Sequence, residues 1–189
     1  MRYLRASLTA REAGLGPEHP EVASTVGSMG DSSCDLHQYA ECLASSERSL
    51  AIRTKAFGPK HTELPASLMR VAEALEGLGR KSEALARFQE ALRVAESVEP
   101  PYPPDVITAL VDLAGALRAR GRRAEALPHL QRALAVAEKE MGKEASKMAS
   151  ALEGLGAWHL EGGQHRQALA HYQRALAIRE KDSPPGHPD

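Results

Sequence analysis

Eight histidines and two cysteines are the side chains of this 189-residue chain best suited to ligate a metal or act as nucleophiles. His159, His165 and His171 fall within 13 residues of one another. Zinc needs its ligands clustered, and on one helix face that means spacings of three or four. His165 and His171 are six apart, so they do not share a face. His159 takes the place that Leu75 and Leu117 hold in a recurring apolar pattern, and reads as a partly buried edge residue. His19, His61 and His187 recur at loop starts, where they cap or pack turns. No metal or cofactor is expected. Cys34 and Cys42 stand eight apart on neighbouring helices and can meet. In a cytosolic protein such a pair is expected to remain thiols, buried as small apolar groups.

Other catalytic patterns are missing. Gly154-Leu155-Gly156 lies mid-helix, where small residues suit close packing, and no Gly-rich phosphate loop or Gly-x-Ser-x-Gly elbow occurs. Neighbouring carboxylates fall on solvated helix faces. Trp158, the single tryptophan, is expected to pack between repeats. The chain therefore reads as a non-enzyme.

Composition narrows the classes further. Hydrophobic residues make up 42% and charged residues 26%, which suits a folded domain rather than a disordered tail. Aromatics are only 4%, and Ala and Leu dominate, which favours closely packed helices with no sheet. With 24 basic against 25 acidic residues the net charge is −1. Nucleic-acid binding draws most of its affinity from phosphate neutralisation, so a basic excess is expected of such proteins and none is seen. No apolar stretch is long enough to span a membrane, and Met1-Arg2-Tyr3-Leu4-Arg5 has no signal-like apolar core. The cytoplasm is the expected compartment.

The elements that position these residues show in an internal step of 42. It links Leu68, Leu110 and Leu152, then Gly79, Gly121 and Gly163, then Ala84, Ala126 and Ala168. Leu85, Leu127 and Leu169 follow, as do Gln89, Gln131 and Gln173, and Leu92, Leu134 and Leu176. Each step contains two helices. The first carries apolar residues at helical spacing, such as Leu68, Val71, Ala72 and Leu75. A glycine ends it. The second carries Ala84, Leu85, Phe88, Ala91 and Leu92. Residues 1–18 read as the second helix of a partial repeat, 19–60 as a degenerate repeat 1, 61–103 as repeat 2, 104–145 as repeat 3 and 146–182 as repeat 4. Residues 183–189 resemble the opening of a further repeat, His187-Pro188-Asp189 standing in register with His19-Pro20-Glu21. Gly27, Ser28, Gly30, Ser32 and Ser33 in repeat 1 each lower helix propensity, by up to about 1 kcal/mol, so its first helix is expected to be the least stable.

The run Gly79-x-x-x-Glu83-Ala84-Leu85-x-x-Phe88-Gln89-x-Ala91-Leu92 resembles the second helix of a tetratricopeptide repeat. The longer period, with Leu15-Gly16-Pro17-Glu18-His19-Pro20 and Ala175-Leu176-Ala177-Ile178-Arg179-Glu180-Lys181, is similar to the 42-residue variety of kinesin light chains and many bacterial signalling proteins. The resemblance covers essentially the whole chain. It implies an all-α fold, a right-handed α-solenoid of stacked antiparallel helix pairs.

It also implies which positions face a groove lined by the first helices. These are Asp31 and Asp35 in repeat 1, and Met69, Arg70, Glu73 and Glu76 in repeat 2. Val111, Asp112 and Arg118 follow in repeat 3, then Glu153, Ala157, Leu160 and Glu161 in repeat 4. Family members that clamp a peptide carboxylate use Lys, Arg and Asn, and kinesin light chains present Asn. Here the equivalent positions hold Ser28, Arg70, Asp112 and Gly154, so neither mode carries over. Among these residues the acidic side chains outnumber the basic ones, so a basic or amphipathic segment with an apolar anchor near Met69, Val111 and Leu160 is the favoured guest. The plainer alternative is that the charges only solvate the helices and pair with one another, Arg70 with Asp112 for instance.

Three functions fit: a scaffold that binds another protein, a regulatory region of a larger signalling protein such as a bacterial kinase or regulator, or a structural element self-associating through open solenoid ends.

Overall fold

The computed structural model describes residues 2–140 and 145–182. The tail 183–189, with His187, lies outside the described residues. Among the described residues there are nine helices and no strand: α1 (Arg2–Leu15), α2 (Pro20–Asp35), α3 (Tyr39–Phe57), α4 (Leu64–Gly77), α5 (Lys81–Ser97), α6 (Pro103–Arg118), α7 (Arg123–Lys139), α8 (Ala145–Glu161) and α9 (His165–Asp182). They form two compact units, Met1–Pro101 and Tyr102–Asp189. In the first, α2 packs on α3 and α4 on α5, with α1 laid against α2. In the second, α6 pairs with α7 and α8 with α9.

The residues that recur every 42 positions are the ones that build the core. Leu68, Leu110 and Leu152 are at most 2% exposed, and so are Ala84, Ala126 and Ala168. Alanine on one helix lets the next approach, and each buried Leu contributes roughly 1.5–3 kcal/mol of transfer free energy. The turns follow from one backbone requirement. Gly79, Gly121 and Gly163 have φ of 73°, 71° and 70°, in the left-handed region. The residue after each donates its N–H back five residues, Arg80 to the Leu75 carbonyl (2.9 Å) and Arg122 to that of Leu117 (3.0 Å). Repeat 1 has His37 at this place, with φ of 57° and the same bond from Gln38 to Ser33 (2.8 Å). His19 and His61 accept the backbone N–H two residues on, at 3.2 and 3.3 Å, and so cap the entries to their helices.

One expectation changes, and the small residues of repeat 1 gain a role. Those Gly and Ser residues lie within α2, a helix of 16 residues. Two of them, Gly27 and Gly30, let α3 come close. A Cβ on Gly30 would sit 2.8 Å from Ser46 Oγ, and one on Gly27 would sit 3.2 Å from Ser49 Oγ. Ser49 Oγ donates to the Ala23 carbonyl at 2.8 Å, tying α3 to α2. The cysteines are not the separate thiols expected of them: Cys34 and Cys42 form a disulfide with their Cα atoms 5.2 Å apart. A short turn between antiparallel helices brings the last turn of α2 beside the first turn of α3, and both cysteines are buried there. The pair therefore gives no support to a reducing compartment. No described helix is long and apolar enough to cross a membrane.

Candidate functional site

In the first unit the predicted groove residues gather on α2 and α4. Arg70, on α4, holds Asp31 of α2 through Nε at 2.8 Å and Glu73 through Nη1 at 2.7 Å. One guanidinium thus bridges the two first helices. Met69 and Glu76 lie on the same helix with Glu73, which is exposed like Asp35 of α2. Beneath Arg70 opens a pocket of about 260 Å³, lined among others by Ser24, Ser28, Asp31, Ser49 and Arg53. Ser24 and Ser28 donate their hydroxyls to carbonyls four residues back, at 3.3 and 3.1 Å. That leaves their oxygens as acceptors toward the pocket. Arg53 reaches in from α3, donating to Ser67 Oγ at 2.7 Å and pairing with Glu63 at 2.9 Å.

In the second unit α6 and α8 are joined the same way. Arg118 donates to both oxygens of Glu161, from Nε at 3.1 Å and from Nη2 at 2.6 Å. These bonds hold the Glu161 carboxyl below its ordinary range. Glu153 is gripped by Arg179 of α9 at 2.6 and 2.9 Å. Val111, Asp112 and Ala157 are half-buried, while Leu160 is 50% exposed.

Within each unit an arginine thus holds some of the predicted carboxylates: Arg70 holds Asp31 and Glu73, Arg118 holds Glu161, and Arg179 holds Glu153. Arg53 and Arg179 escaped the sequence reading of the groove. A signal for them existed: Arg11, Arg53 and Arg179 all lie on the 42-residue step.

Comparison with known proteins now decides the family. The tetratricopeptide repeat model matches residues 21–97 and 105–181. The chain belongs to the tetratricopeptide repeat family. No curated protein sequence matches it. Among solved structures, BtubC (BKLC) from P. vanneervenii is similar at 18% identity and a TM-score of 0.78, covering 98% of this chain and 74% of that one. The nearly identical TPR-like repeats of a kinesin light chain candidate from Podosopora anserina match at 21% identity and a TM-score of 0.72, covering 95% of this chain and 85% of that one. A Rap protein complexed with competence and sporulation factor matches at 19% identity and a TM-score of 0.74, covering 86% of this chain and 45% of that one. At such identities the likeness is one of fold.

The remaining sequence candidates are packing residues of this tetratricopeptide array. Trp158 of α8 stacks under Arg123 of α7 and so packs between repeats as expected. Gly154 lies against Leu130, where a Cβ would come within 2.5 Å of Leu130 Cδ2. His159 and His171 stack with centroids 5.2 Å apart, and His159 Nδ1 is 2.6 Å from Gln164 Oε1. Among the described residues no three His, Cys, Asp or Glu side chains converge as a metal would need.

Proposed function

We propose that the chain is a non-catalytic protein-interaction scaffold that binds a peptide or helix of a partner protein on the face formed by its first helices. The observation that carries this reading is the α2/α4 face of the first unit. Arg70 ties Asp31 and Glu73 there at the edge of a pocket lined by serine hydroxyls, Asp31 and Arg53, with Met69 alongside. Four carboxylates (Asp31, Asp35, Glu73, Glu76) share this face with Arg70, so it favours a basic or amphipathic segment. A Lys or Arg of the guest would meet the serine oxygens and Asp31, and an apolar side chain would rest on Met69. The α6/α8 face of the second unit offers Val111 and Leu160 beside Asp112, Glu153 and Glu161 on the same terms. The Rap protein complexed with competence and sporulation factor supports the peptide reading by analogy of fold.

A titration with a Lys-rich amphipathic peptide tests this. Asp31→Lys with Glu73→Lys should weaken binding by about tenfold or more. Equal affinity for the wild type and this variant overturns the reading. A second reading, as the regulatory region of a larger signalling protein, draws on the same comparison, since the chain spans 45% of that Rap protein. A catalytic or output domain on the native polypeptide selects it.

A further inference from the structure

The degenerate first repeat departs from its sisters at two register positions, and both departures open one space. Phe88, Leu130 and Tyr172 recur every 42 residues, and repeat 1 has Ser46 at that place. Met69, Val111 and Glu153 recur likewise, and repeat 1 has Gly27. Ser46 and Gly27 both line the pocket of about 260 Å³ between α2, α3 and α4. Side chains that fill the other repeats are cut back here, and the surface uncovered in their place is polar. A water takes roughly 30 Å³ in the liquid, so the space exceeds what one or two waters would fill.

The rim and the floor of this pocket differ. At the rim stand the exposed Ser24, Ser28 and Asp31, which suit a guest's Lys or Arg. The floor is formed by Ser46 and Ser49, only 3% and 1% exposed, with Arg53. Ser49 has spent its proton on the Ala23 carbonyl, so it can only accept. Ser46 Oγ is close to Cys42 Sγ alone, at 3.8 Å among the described residues. That sulfur belongs to the disulfide and is a weak acceptor, so the Ser46 proton is in effect unspent. Arg53 commits Nη1 to Ser67 and pairs with Glu63 through Nε. Its Nη2 donates to no described residue, and lies 3.8 Å from where a Cβ on Gly27 would be. Buried donors are normally satisfied, so two idle ones at one floor call for an acceptor.

Charge decides among the candidate ligands. The charges lining the pocket are already paired, Arg53 with Glu63 and Arg70 with Asp31 and Glu73. An ion carried to the floor would meet no uncompensated counter-charge, and burying one so is costly. The group that suits the floor is neutral, accepts from Arg53 and Ser46, and donates to Ser49. A primary carboxamide has an acceptor oxygen and two donor hydrogens on one planar group, which a hydroxyl does not. We infer that this pocket is a specificity subsite for the carboxamide side chain, Gln or Asn, of the guest segment. The inference rests on the α2/α4 face being the groove, and adds what that groove selects. The carboxamide oxygen accepts from Arg53 Nη2, its NH2 group donates to Ser49 Oγ, and a Lys or Arg of the same guest stays at the rim on Asp31.

The probe is a set of Lys-rich amphipathic peptides, identical except at one position that carries Gln, Met, Glu or Lys, with that position stepped along the sequence. Calorimetric titration of the full chain should show a register in which Gln binds about tenfold more tightly than Met, its apolar isostere, and than Glu or Lys. Gly27→Met puts back the side chain of the next repeat. It should bring the Gln peptide down to the Met peptide and leave the Met peptide's affinity unchanged. Ser46→Ala removes one atom and adds no bulk. It should reduce the Gln preference severalfold with the helical circular dichroism intact. Equal affinity of the Gln and Met peptides in every register, or a Gln preference unchanged in Ser46→Ala, overturns the inference while the groove stands. Failure of every peptide to saturate overturns the groove and the inference together. Competition by free glutamine at the concentration of the peptide's Kd would give the pocket to a free amino acid, and so overturns its assignment to a guest segment.

Discussion

The guanidinium carbon of Arg123 lies 3.7 Å from the centroid of the Trp158 ring. Trp158 Nε1 donates to the Arg123 carbonyl at 2.8 Å, and Arg123 donates back to the Trp158 carbonyl from Nε at 3.0 Å and Nη2 at 2.8 Å. The two residues thus satisfy each other's backbone and stack, joining α7 to α8. A planar fork is needed to do both at once, and an ammonium cannot. Arg123→Lys should cost about 1 kcal/mol and Trp158→Ala about 2–3 kcal/mol. Urea unfolding followed by circular dichroism measures both. Equal stability of Arg123→Lys and wild type would show that the stack contributes nothing.

Closure of the α2–α3 turn by Cys34 and Cys42 makes a second prediction. In the loop-entropy picture a cross-link over so short a segment is worth about 2–3 kcal/mol. Cys34→Ser with Cys42→Ser should lower the stability of the first unit by that amount. Dithiothreitol should lower the wild type equally and leave the double variant unchanged. A variant as stable as the oxidised wild type would contradict the prediction.

His37 occupies the left-handed turn position that Gly79, Gly121 and Gly163 fill in the other repeats. A side chain there crowds the backbone, whereas glycine adopts the conformation freely. His37 Nδ1 also lies 2.8 Å from the Tyr39 hydroxyl, an exposed contact that offsets part of the strain. His37→Gly should therefore stabilise the first unit by about 0.5–1 kcal/mol. A loss of stability would mean that the Tyr39 contact outweighs the backbone term.

The helices and their turns could be read from the 42-residue step because burial repeats with it, and a buried Leu68 implies a buried Leu110. What could not be read were contacts that depend on neighbouring helices. The net acidity of the groove was visible, but not that Arg70 would join Asp31 to Glu73 or that Arg179 would reach Glu153. Ion pairing across helices depends on rotamers and on the offset between elements, which a single helix pattern does not contain. Gly27 and Gly30 read as lost propensity in the sequence and serve close packing in the fold, since both roles predict the same residue type. The disulfide was hidden because the expected compartment outweighed the geometry of a tight turn.

His171 makes the second unit sensitive to pH. Burial, then the neighbouring His159, then Arg174 lower its pKa from the ordinary histidine value of 6.5. The folded state therefore resists protonating His171 while the unfolded chain does not. The sign follows from linkage. Above pH 6.5 the imidazole is neutral in both states and carries no penalty. As pH falls through that value the unfolded state gains protons first, so folding stability declines until the folded group protonates too. The second unit should thus be less stable at about pH 5 than at about pH 7.5, and His171→Gln should flatten that part of the curve. Denaturant midpoints across this range, read from the fluorescence of Trp158, provide the check. A slope unchanged in His171→Gln would assign the dependence to another group.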